Sequence, residues 1–329
     1  MNLSTLLQII AQEYNFHVYH ATPLENGYRL ETNVGSKMAF LYKEDQHLQY
    51  SFQWRENLVK KGFRHFDRFI RTRDGAPFVL RDGEYVILQD AFHGRPLSLE
   101  SLPTWEALGT LYGQIYDACS DLSIQNAEGA KQLQNQSLEP LFLTQEEMKS
   151  IKKKVFAEEN MFSHLVRIHW SEVEKRWKQA QAIKRASSTQ TFNYNLFPIL
   201  YLEQWLILEN GGLALQTKNA SLASGFQSLS YLLERIYCMQ DGEKKMEHFW
   251  NAFCSRMKLT LEDHYSVLSH LIYPETFISI LHSYVDQRDS SDTFVERWMK
   301  ECEQQEKLDQ FYLWFAERID RLREESISI

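Results

Sequence analysis

The chain has 329 residues, of which 43% are hydrophobic and 24% are charged, and its formal net charge is −8. These values are typical of a soluble globular protein with one large domain or two lobes. The negative charge argues against a general binder of nucleic acids or of anionic membranes, because both need a positive surface. A membrane-spanning helix needs about 18 consecutive apolar residues, and no stretch of the chain approaches this length. The pattern of the N-terminus predicts an amphipathic helix rather than a signal peptide.

The cysteines and histidines follow no metal-binding or disulfide pattern. The four cysteines lie far apart without a CxxC pair, and the eleven histidines show no HExxH spacing. We therefore expect free thiols, no bound metal and a protein made in a cytoplasm-like compartment. The cysteines are Cys119, Cys238, Cys254 and Cys302.

Residues 1–90 predict a small antiparallel sheet with one helix packed on it, after an N-terminal helix at residues 3–14. Alternation predicts a hairpin at Gly27–Tyr42, and two further strands, 78–80 and 85–88, flank an Asp-Gly turn. Between these pairs, residues 46–61 have helical spacing, so the predicted order is β-β-α-β-β. The residues spaced by three and four on this helix are Leu48, Phe52, Arg55 and Val59.

Glycine and proline in residues 91–103 predict a hinge, and most of the chain beyond it, 104–329, has helical periodicity. A small sheet lobe, a hinge and a large helical lobe are typical of the bilobal protein-kinase-like fold, an α+β fold that holds nucleotide in the cleft between its lobes. The predicted helices are 104–122, 145–158, 161–185, 225–239, 242–257, 260–271, 274–285 and 291–325.

The stretch Phe192–Tyr237 has the frame of a phosphotransferase catalytic core. An apolar run at 196–208 leads to the turn Asn210-Gly211-Gly212, a short strand at 213–215, a polar loop and a helix. In small-molecule kinases, the first segment of such a core brings a catalytic Asp and an Mg²⁺-binding Asn, and the strand after the turn ends in a metal-binding Asp. This stretch contains no Asp.

Several segments resemble the CotS-like family of spore coat proteins, and most closely its divergent YutH-like members. That family belongs to the superfamily of aminoglycoside phosphotransferases and choline kinases. The resemblance covers most of the chain from Gly27 onward, and the order of the matching segments is the same. They are RLETNVGSKMAFLY, ENLVKKGFRHFDRFIRTRDGAPFVLRDGEYVIL, QDAFHGRPLSL and VLSHLIYPETFISILHSYVD.

The resemblance implies positions for the nucleotide-binding groups of the sheet lobe. The phosphate-binding Lys of active relatives falls at Phe40. Lys37 and Lys43 lie nearby, but strand alternation puts both on the opposite face. The carboxylate that pairs with this Lys falls at Gln53, with Glu56 one turn later as a possible substitute.

The resemblance also implies positions for the catalytic motifs. The HGDxxxxN motif puts its His at Ile199, its base Asp at Tyr201 and its Asn at Leu206. The metal-binding DFD motif falls at Thr217–Asn219, and the supporting Asp of the next helix falls near Ser228. We therefore expect no catalytic residue at these degenerate positions.

Phosphoryl transfer needs carboxylates that hold Mg²⁺ against the phosphates. Neither Thr217 nor Lys218 can hold Mg²⁺ in this way, although the Lys218 ammonium could pair with a phosphate. A tyrosine is protonated at neutral pH, so Tyr201 would be a poor general base. We expect no cofactor and no metal; the candidate residues for binding a cofactor are Lys43, Glu56 and Lys218.

The resemblance thus implies a catalytically degenerate kinase-like protein of the bacterial endospore coat, made in the mother-cell cytoplasm. Its partners would be other spore coat proteins and a small molecule in the interlobe cleft, but not nucleic acid. The alternative is an active small-molecule kinase that uses displaced residues such as Lys43, Glu56 and Glu203. A third reading, nucleotide binding without catalysis, requires Phe40 to be tolerated in place of the phosphate-binding Lys.

Overall fold

The computed structural model of the chain describes residues 1–25, 27–43, 48–120, 142–187, 196–198, 201–217, 222–286 and 291–327. These residues form two compact units. The sheet unit comprises the described parts of Met1–Thr104, Leu111–Ser137 and Asn195–Leu222. The helical unit comprises those of Trp105–Thr110, Leu138–Tyr194 and Ala223–Ile329. The domain boundaries at residues 90 and 103 stay predictions.

The sheet unit contains a five-stranded antiparallel sheet with the strand order β1-β2-β3-β5-β4. Its first elements are α1 (Leu3–Glu13), β1 (Val18–Leu24), β2 (Gly27–Thr32), β3 (Gly35–Tyr42), α2 (Leu48–Lys60), β4 (Val79–Arg81) and β5 (Glu84–Asp90). The predicted helices, hairpin and strand pair are confirmed, but the predicted order β-β-α-β-β is wrong because it lacks β1. Strand β1 has no alternating apolar pattern, since it is an edge strand whose side chains are mostly exposed.

The two faces of the sheet pack against different helices, because side chains alternate along each strand. On one face, Leu30, Ala39 and Leu88 form a core with α1. On the other face, Ile87 forms a smaller core with Leu48 of α2. The position of a residue in β3 therefore decides which helix it faces.

The hairpin in the middle of the chain belongs to the sheet unit. Strand β6 (Gly94–Pro96) lies within the predicted hinge and pairs with this hairpin, so the order of the small sheet is β6-β8-β9. A Cβ atom at Gly94 would lie 2.7 Å from the carbonyl oxygen of Ile207, so this pairing requires glycine. The elements of the chain between residues 196 and 224 are β7 (Leu196–Pro198), a 3₁₀ turn (Leu202–Gln204), β8 (Trp205–Leu208), β9 (Leu213–Leu215) and β10 (Leu222–Ser224).

Residues 63–70, here called the linking segment, connect the two sheets by backbone hydrogen bonds. The N–H of Leu215 donates to the carbonyl of His65 at 2.8 Å, and the N–H of Asp67 donates to the carbonyl of Leu215 at 3.1 Å. Farther along, the N–H of Ile70 donates to the carbonyl of Leu88 at 2.8 Å. The linking segment thus joins β9 to β5 and fixes the position of Asp67 beside the end of the hairpin.

The helical unit is built around a core of aromatic side chains. The ring of Trp298 lies 4.6 Å from that of Phe277 and 5.7 Å from that of Phe162, measured between centroids.

Each helix predicted beyond the hinge is confirmed, with ends within two residues of the prediction. Helix α3 (Leu102–Ser120) has residues in both units. The others are α4 (Gln145–Phe156), α5 (Met161–Ser187), α6 (Gly225–Tyr237), α7 (Gly242–Arg256), α8 (Leu261–Ile272), α9 (Glu275–Val285) and α10 (Ser291–Ile327).

In the described part of the chain, no helix combines the length and the apolar character needed to cross a membrane.

Candidate functional site

The position implied for a phosphate-binding lysine holds a buried aromatic ring. Phe40 is 8% exposed, and its ring lies 6.4 Å from that of Tyr42 on the face of the sheet that packs against α2. Lys37 faces the other side, where its ammonium pairs with Asp90 of β5 at 2.7 Å. Alternation along β3 therefore separates the nearby lysine from the position of Phe40, as the sequence predicts.

Lys43 lies in a different environment, at a surface pocket of about 550 Å³ that begins at the N-terminus of α1. Met1 and Asn2 line this pocket together with the β4–β5 turn, and the Met1 amine pairs with Glu84 at 2.6 Å. Thr217 is not among its lining residues. The structure therefore does not bring Lys43 to the end of the hairpin.

The polar residue of α2 that faces the hairpin is Arg55, and it is 3% exposed. Gln53 is exposed on another side of the helix. Glu56 pairs with Arg71 at 2.6 Å, near the protein surface. The resemblance implies a carboxylate at Gln53, with Glu56 as its substitute, whereas the buried charged group on α2 is the guanidinium of Arg55.

Arg55, Asp67 and Thr217 form a buried cluster, here called the Arg55 cluster, at the end of β9. Thr217 is 2% exposed and Asp67 is 1% exposed. The Thr217 hydroxyl oxygen lies 2.9 Å from both carboxylate oxygens of Asp67 and accepts a hydrogen bond from Nη2 of Arg55. The Thr217 side chain, which stands at the implied metal position, is thus hydrogen-bonded within the protein.

Arg55 uses its full donor capacity, with three hydrogen bonds to the other members of the cluster and two to Ser51 of α2. A guanidinium carries five N–H donors, and Arg55 makes five hydrogen bonds. Nε donates to the Asp67 carbonyl at 2.8 Å, and Nη1 donates to the carbonyl and hydroxyl of Ser51. Nη2 donates to Thr217 and, at 3.4 Å, to the Asp67 carboxylate. One side chain therefore connects α2, the linking segment and the end of the hairpin.

Burial dominates the electrostatics of the Arg55 cluster. It raises the pKa of the Asp67 carboxyl to about 7, although the Arg55 charge and the Thr217 hydrogen bonds act in the opposite direction. It also lowers the pKa of the Arg55 guanidinium, against the stabilising charge of Asp67. The rings of Trp54 and Phe69 lie 4.4 and 5.0 Å from the guanidinium carbon, so aromatic faces cover the ion pair.

The positions implied for the catalytic motif carry no acidic side chain where they are described. Tyr201 lies just before the 3₁₀ turn, and its backbone N–H donates to the Gln204 side chain at 3.0 Å. Leu206 lies in β8 opposite Ala214 of β9. Glu203 is an exposed residue of the 3₁₀ turn.

Ser228, implied as the supporting position of the next helix, is 6% exposed in α6. The remaining candidates, Ile199, Lys218 and Asn219, lie outside the described residues.

Sequence reasoning missed Asp67 as a member of the site. The available signals were an arginine on the apolar face of α2 and an aspartate among the aromatic residues Phe63, Phe66 and Phe69. A charged residue within an apolar pattern is rarely buried unless it is paired, so each of the two residues indicates the need for a partner.

In the helical unit, the partly buried Glu234 and the buried Glu301 line a pocket of about 230 Å³. Burial raises the pKa of Glu234 to about 8, against the hydrogen bond from the Tyr312 hydroxyl at 3.0 Å. Burial also raises the pKa of Glu301, whose carboxylate accepts a hydrogen bond from Gln305 at 2.8 Å. His270 lines the same pocket, and burial lowers its pKa to about 3.

In the ranges of the chain that the structure describes, no group of three or more His, Cys, Asp or Glu side chains could hold a metal ion. No protein-family model matches the chain, and no curated protein sequence matches it.

The chain is similar in structure to solved small-molecule kinases. An aminoglycoside phosphotransferase from Alicyclobacillus acidocaldarius has a TM-score of 0.74 at 14% identity, with 95% of this chain and 96% of that chain covered. A spectinomycin phosphotransferase in complex with ADP and spectinomycin has a TM-score of 0.59 at 12% identity, covering 97% and 99%. An amicoumacin kinase in complex with AMP-PNP and Ca²⁺ has a TM-score of 0.60 at 11% identity, covering 94% of each chain.

At these identities the likeness shows the fold. The predicted α+β protein-kinase-like fold class is confirmed: a five-stranded antiparallel sheet with a larger helical part, in the form found in aminoglycoside phosphotransferase-like small-molecule kinases.

Proposed function

We propose that this chain is a catalytically degenerate kinase-like protein that acts as a structural or binding component of the bacterial endospore coat. The observation that carries the catalytic part is the Arg55 cluster, in which Thr217 at the implied metal position is buried and bonded to Arg55 and Asp67. The coat part is supported by the resemblance of the sequence to CotS-like proteins.

The residues around Thr217 do not fit a Mg²⁺-nucleotide. Mg²⁺ requires oxygen ligands, mainly carboxylates and phosphates, in a near-octahedral arrangement. Here the Thr217 oxygen accepts from a guanidinium, whose positive charge repels a metal ion. The neighbouring carboxylate, Asp67, already accepts from both Arg55 and Thr217. Phe40 adds a buried ring where an ammonium would neutralise phosphate charge.

The second candidate is an active small-molecule kinase with displaced catalytic residues. It is favoured by the length of the structural likeness, since solved kinases with this fold match 94% to 97% of the chain. Its candidate residues are Lys43, Glu56 and Glu203. Against it, Glu56 is paired with Arg71, and Lys43 lies with Met1 and Asn2 on the α1 side of the sheet.

Hydrolysis of Mg²⁺-ATP by the purified protein separates these two candidates. The aminoglycoside phosphotransferase of the same fold, assayed in parallel, serves as a positive control. We expect no release of phosphate above the rate of the buffer. Mg²⁺-dependent hydrolysis that is lost on the substitution Glu203→Gln or Lys43→Met would support the active kinase instead.

Localisation in an endospore-forming bacterium tests the coat assignment. The chain is fused to a fluorescent protein and expressed during sporulation. We expect a signal that first fills the mother cell and then surrounds the developing spore. A signal that stays diffuse in the mother cell until lysis would contradict the coat assignment and leave the catalytic part of the proposal standing.

A further inference from the structure

We propose that the Arg55 cluster is an internal lock, in which one arginine fixes the end of β9 to α2 and to the linking segment without a divalent metal. The inference rests on the proposed function only in taking Thr217 as a degenerate metal position. Whether the lock exists is a separate question from whether the chain hydrolyses ATP, and the two have separate measurements.

In the described part of the chain, the end of the hairpin is held by the pairing of β9 with β8 and by a few further backbone hydrogen bonds. Strand β9 has three residues, and its backbone bonds to the linking segment are those of Leu215 with His65 and Asp67. The N–H of Gln216 donates to the carbonyl of Gln204 at 2.9 Å. Such short strands are held weakly by their backbone pairing alone. The Thr217 side chain adds the next attachment along the chain.

The lock connects segments that are far apart in the sequence. Arg55 and Thr217 are 162 residues apart, and Asp67 and Thr217 are 150 residues apart. Arg55 also holds the backbone of the linking segment through the Asp67 carbonyl. Loss of Arg55 therefore loosens two contacts at once, between α2 and the linking segment and between α2 and the hairpin.

The charges inside the lock are balanced without an added ion. Arg55 is positive, the ionised Asp67 is negative, and the Thr217 hydroxyl lies between them as acceptor for one and donor for the other. All three side chains are at most 3% exposed, so removing one leaves the others unsatisfied in a nonpolar environment. This dependence favours a single arrangement of the hairpin end.

Arginine is the side chain that fits this role. Its planar group reaches α2, the linking segment and Thr217 in fixed directions. A lysine has one nitrogen with three donors and cannot reproduce five bonds in this geometry. The substitution Arg55→Lys therefore keeps the charge and removes the connection.

Hydrogen exchange measured by mass spectrometry or NMR tests the lock on the full chain. Thr217→Val removes the hydroxyl at nearly constant shape, and Thr217→Ser keeps it as a matched control. We expect Thr217→Val to speed exchange of the amides of Asp67, Leu215 and Gln216 by about tenfold, equivalent to about 1.4 kcal/mol. Amides of α1 and β2 should not change, and Thr217→Ser should behave as the wild type.

A second variant and an ion control complete the test. Arg55→Lys should speed exchange at the same three amides, which keeps the test decisive if Thr217→Val does not fold. Millimolar Mg²⁺ should leave the exchange of the wild type unchanged. The proposal is overturned if both variants exchange as the wild type does at these amides, or if Mg²⁺ slows their exchange in the wild type. Neither outcome depends on an ATP hydrolysis assay.

Discussion

Replacement of Arg55 by methionine should be one of the most destabilising substitutions in the sheet unit. It removes the cation bonded to Asp67 and leaves a carboxylate that is 1% exposed. Removing one partner of a buried ion pair typically costs about 3–5 kcal/mol, because the other charge stays buried without compensation. We expect a loss in this range for Arg55→Met at pH 8.

The loss should decrease as the pH falls. Burial raises the pKa of Asp67 to about 7 in the folded protein, above its ordinary value of 3.8. At pH values between these two pKa values, the folded state binds more protons than the unfolded state. Asp67 therefore makes the free energy of unfolding fall as the pH rises, by at most about 1.4 kcal/mol per pH unit. Without Arg55 the folded pKa rises further, and protonation of Asp67 relieves the penalty.

Urea denaturation at pH 6 and pH 8 measures this effect. Arg71→Met is a matched control, because Arg71 is half exposed and its pair with Glu56 should contribute at most about 1 kcal/mol. The double variant Arg55→Met/Asp67→Leu should be more stable at pH 8 than Arg55→Met alone. The reasoning is refuted if Arg55→Met is no less stable than Arg71→Met, or if its loss is the same at both pH values.

Three further predictions follow from other positions. Thr217→Asp should not create Mg²⁺-dependent ATP binding, measured by calorimetry, because Arg55 pairs with the new carboxylate; a metal-dependent heat of binding would contradict this. Between about pH 4.5 and 8, the raised pKa of Glu234 makes the folded protein bind more protons than the unfolded protein, so stability falls as the pH rises. Glu234→Gln should make this fall smaller, and an unchanged dependence of stability on pH would contradict the prediction. Gly94→Ala should lower the free energy of unfolding by about 1–3 kcal/mol, because the new Cβ meets a backbone oxygen of β8. Gly212→Ala is the control and should cost less, because its Cβ meets a side chain that can move. Equal losses for the two variants in denaturation would contradict the prediction.

The sequence predicted the helices well because their apolar spacing is regular over many residues. For α5, for example, the apolar spacing predicts a helix at 161–185, and the helix spans Met161–Ser187. Strand β1 escaped prediction because an exposed edge strand needs no apolar alternation. Strand β6 could not be predicted from the sequence, because two of its three residues are Gly94 and Pro96, which are typical of a loop.

The sequence shows which acidic residues the catalytic stretch lacks, but it does not show which contacts the residues of the candidate site make. The lack of any Asp between Phe192 and Tyr237 is visible in the sequence, and it predicts the loss of the metal ligands. The partners of Thr217 are not visible, because Arg55 and Asp67 reach it only after the sheet and hairpin have folded together. The sequence showed Arg55 on an apolar helix face, and the tertiary structure supplies the reason.

Thermal unfolding with and without a large excess of Mg²⁺-ATP tests the central claim of a degenerate site most directly. A ligand at about one hundred times its dissociation constant stabilises the folded state by roughly 2.7 kcal/mol, which raises the unfolding temperature by several degrees at most. The Alicyclobacillus aminoglycoside phosphotransferase is the control. We predict no rise for this chain. A clear rise that requires both Mg²⁺ and ATP would contradict the degenerate site and favour a kinase with displaced residues.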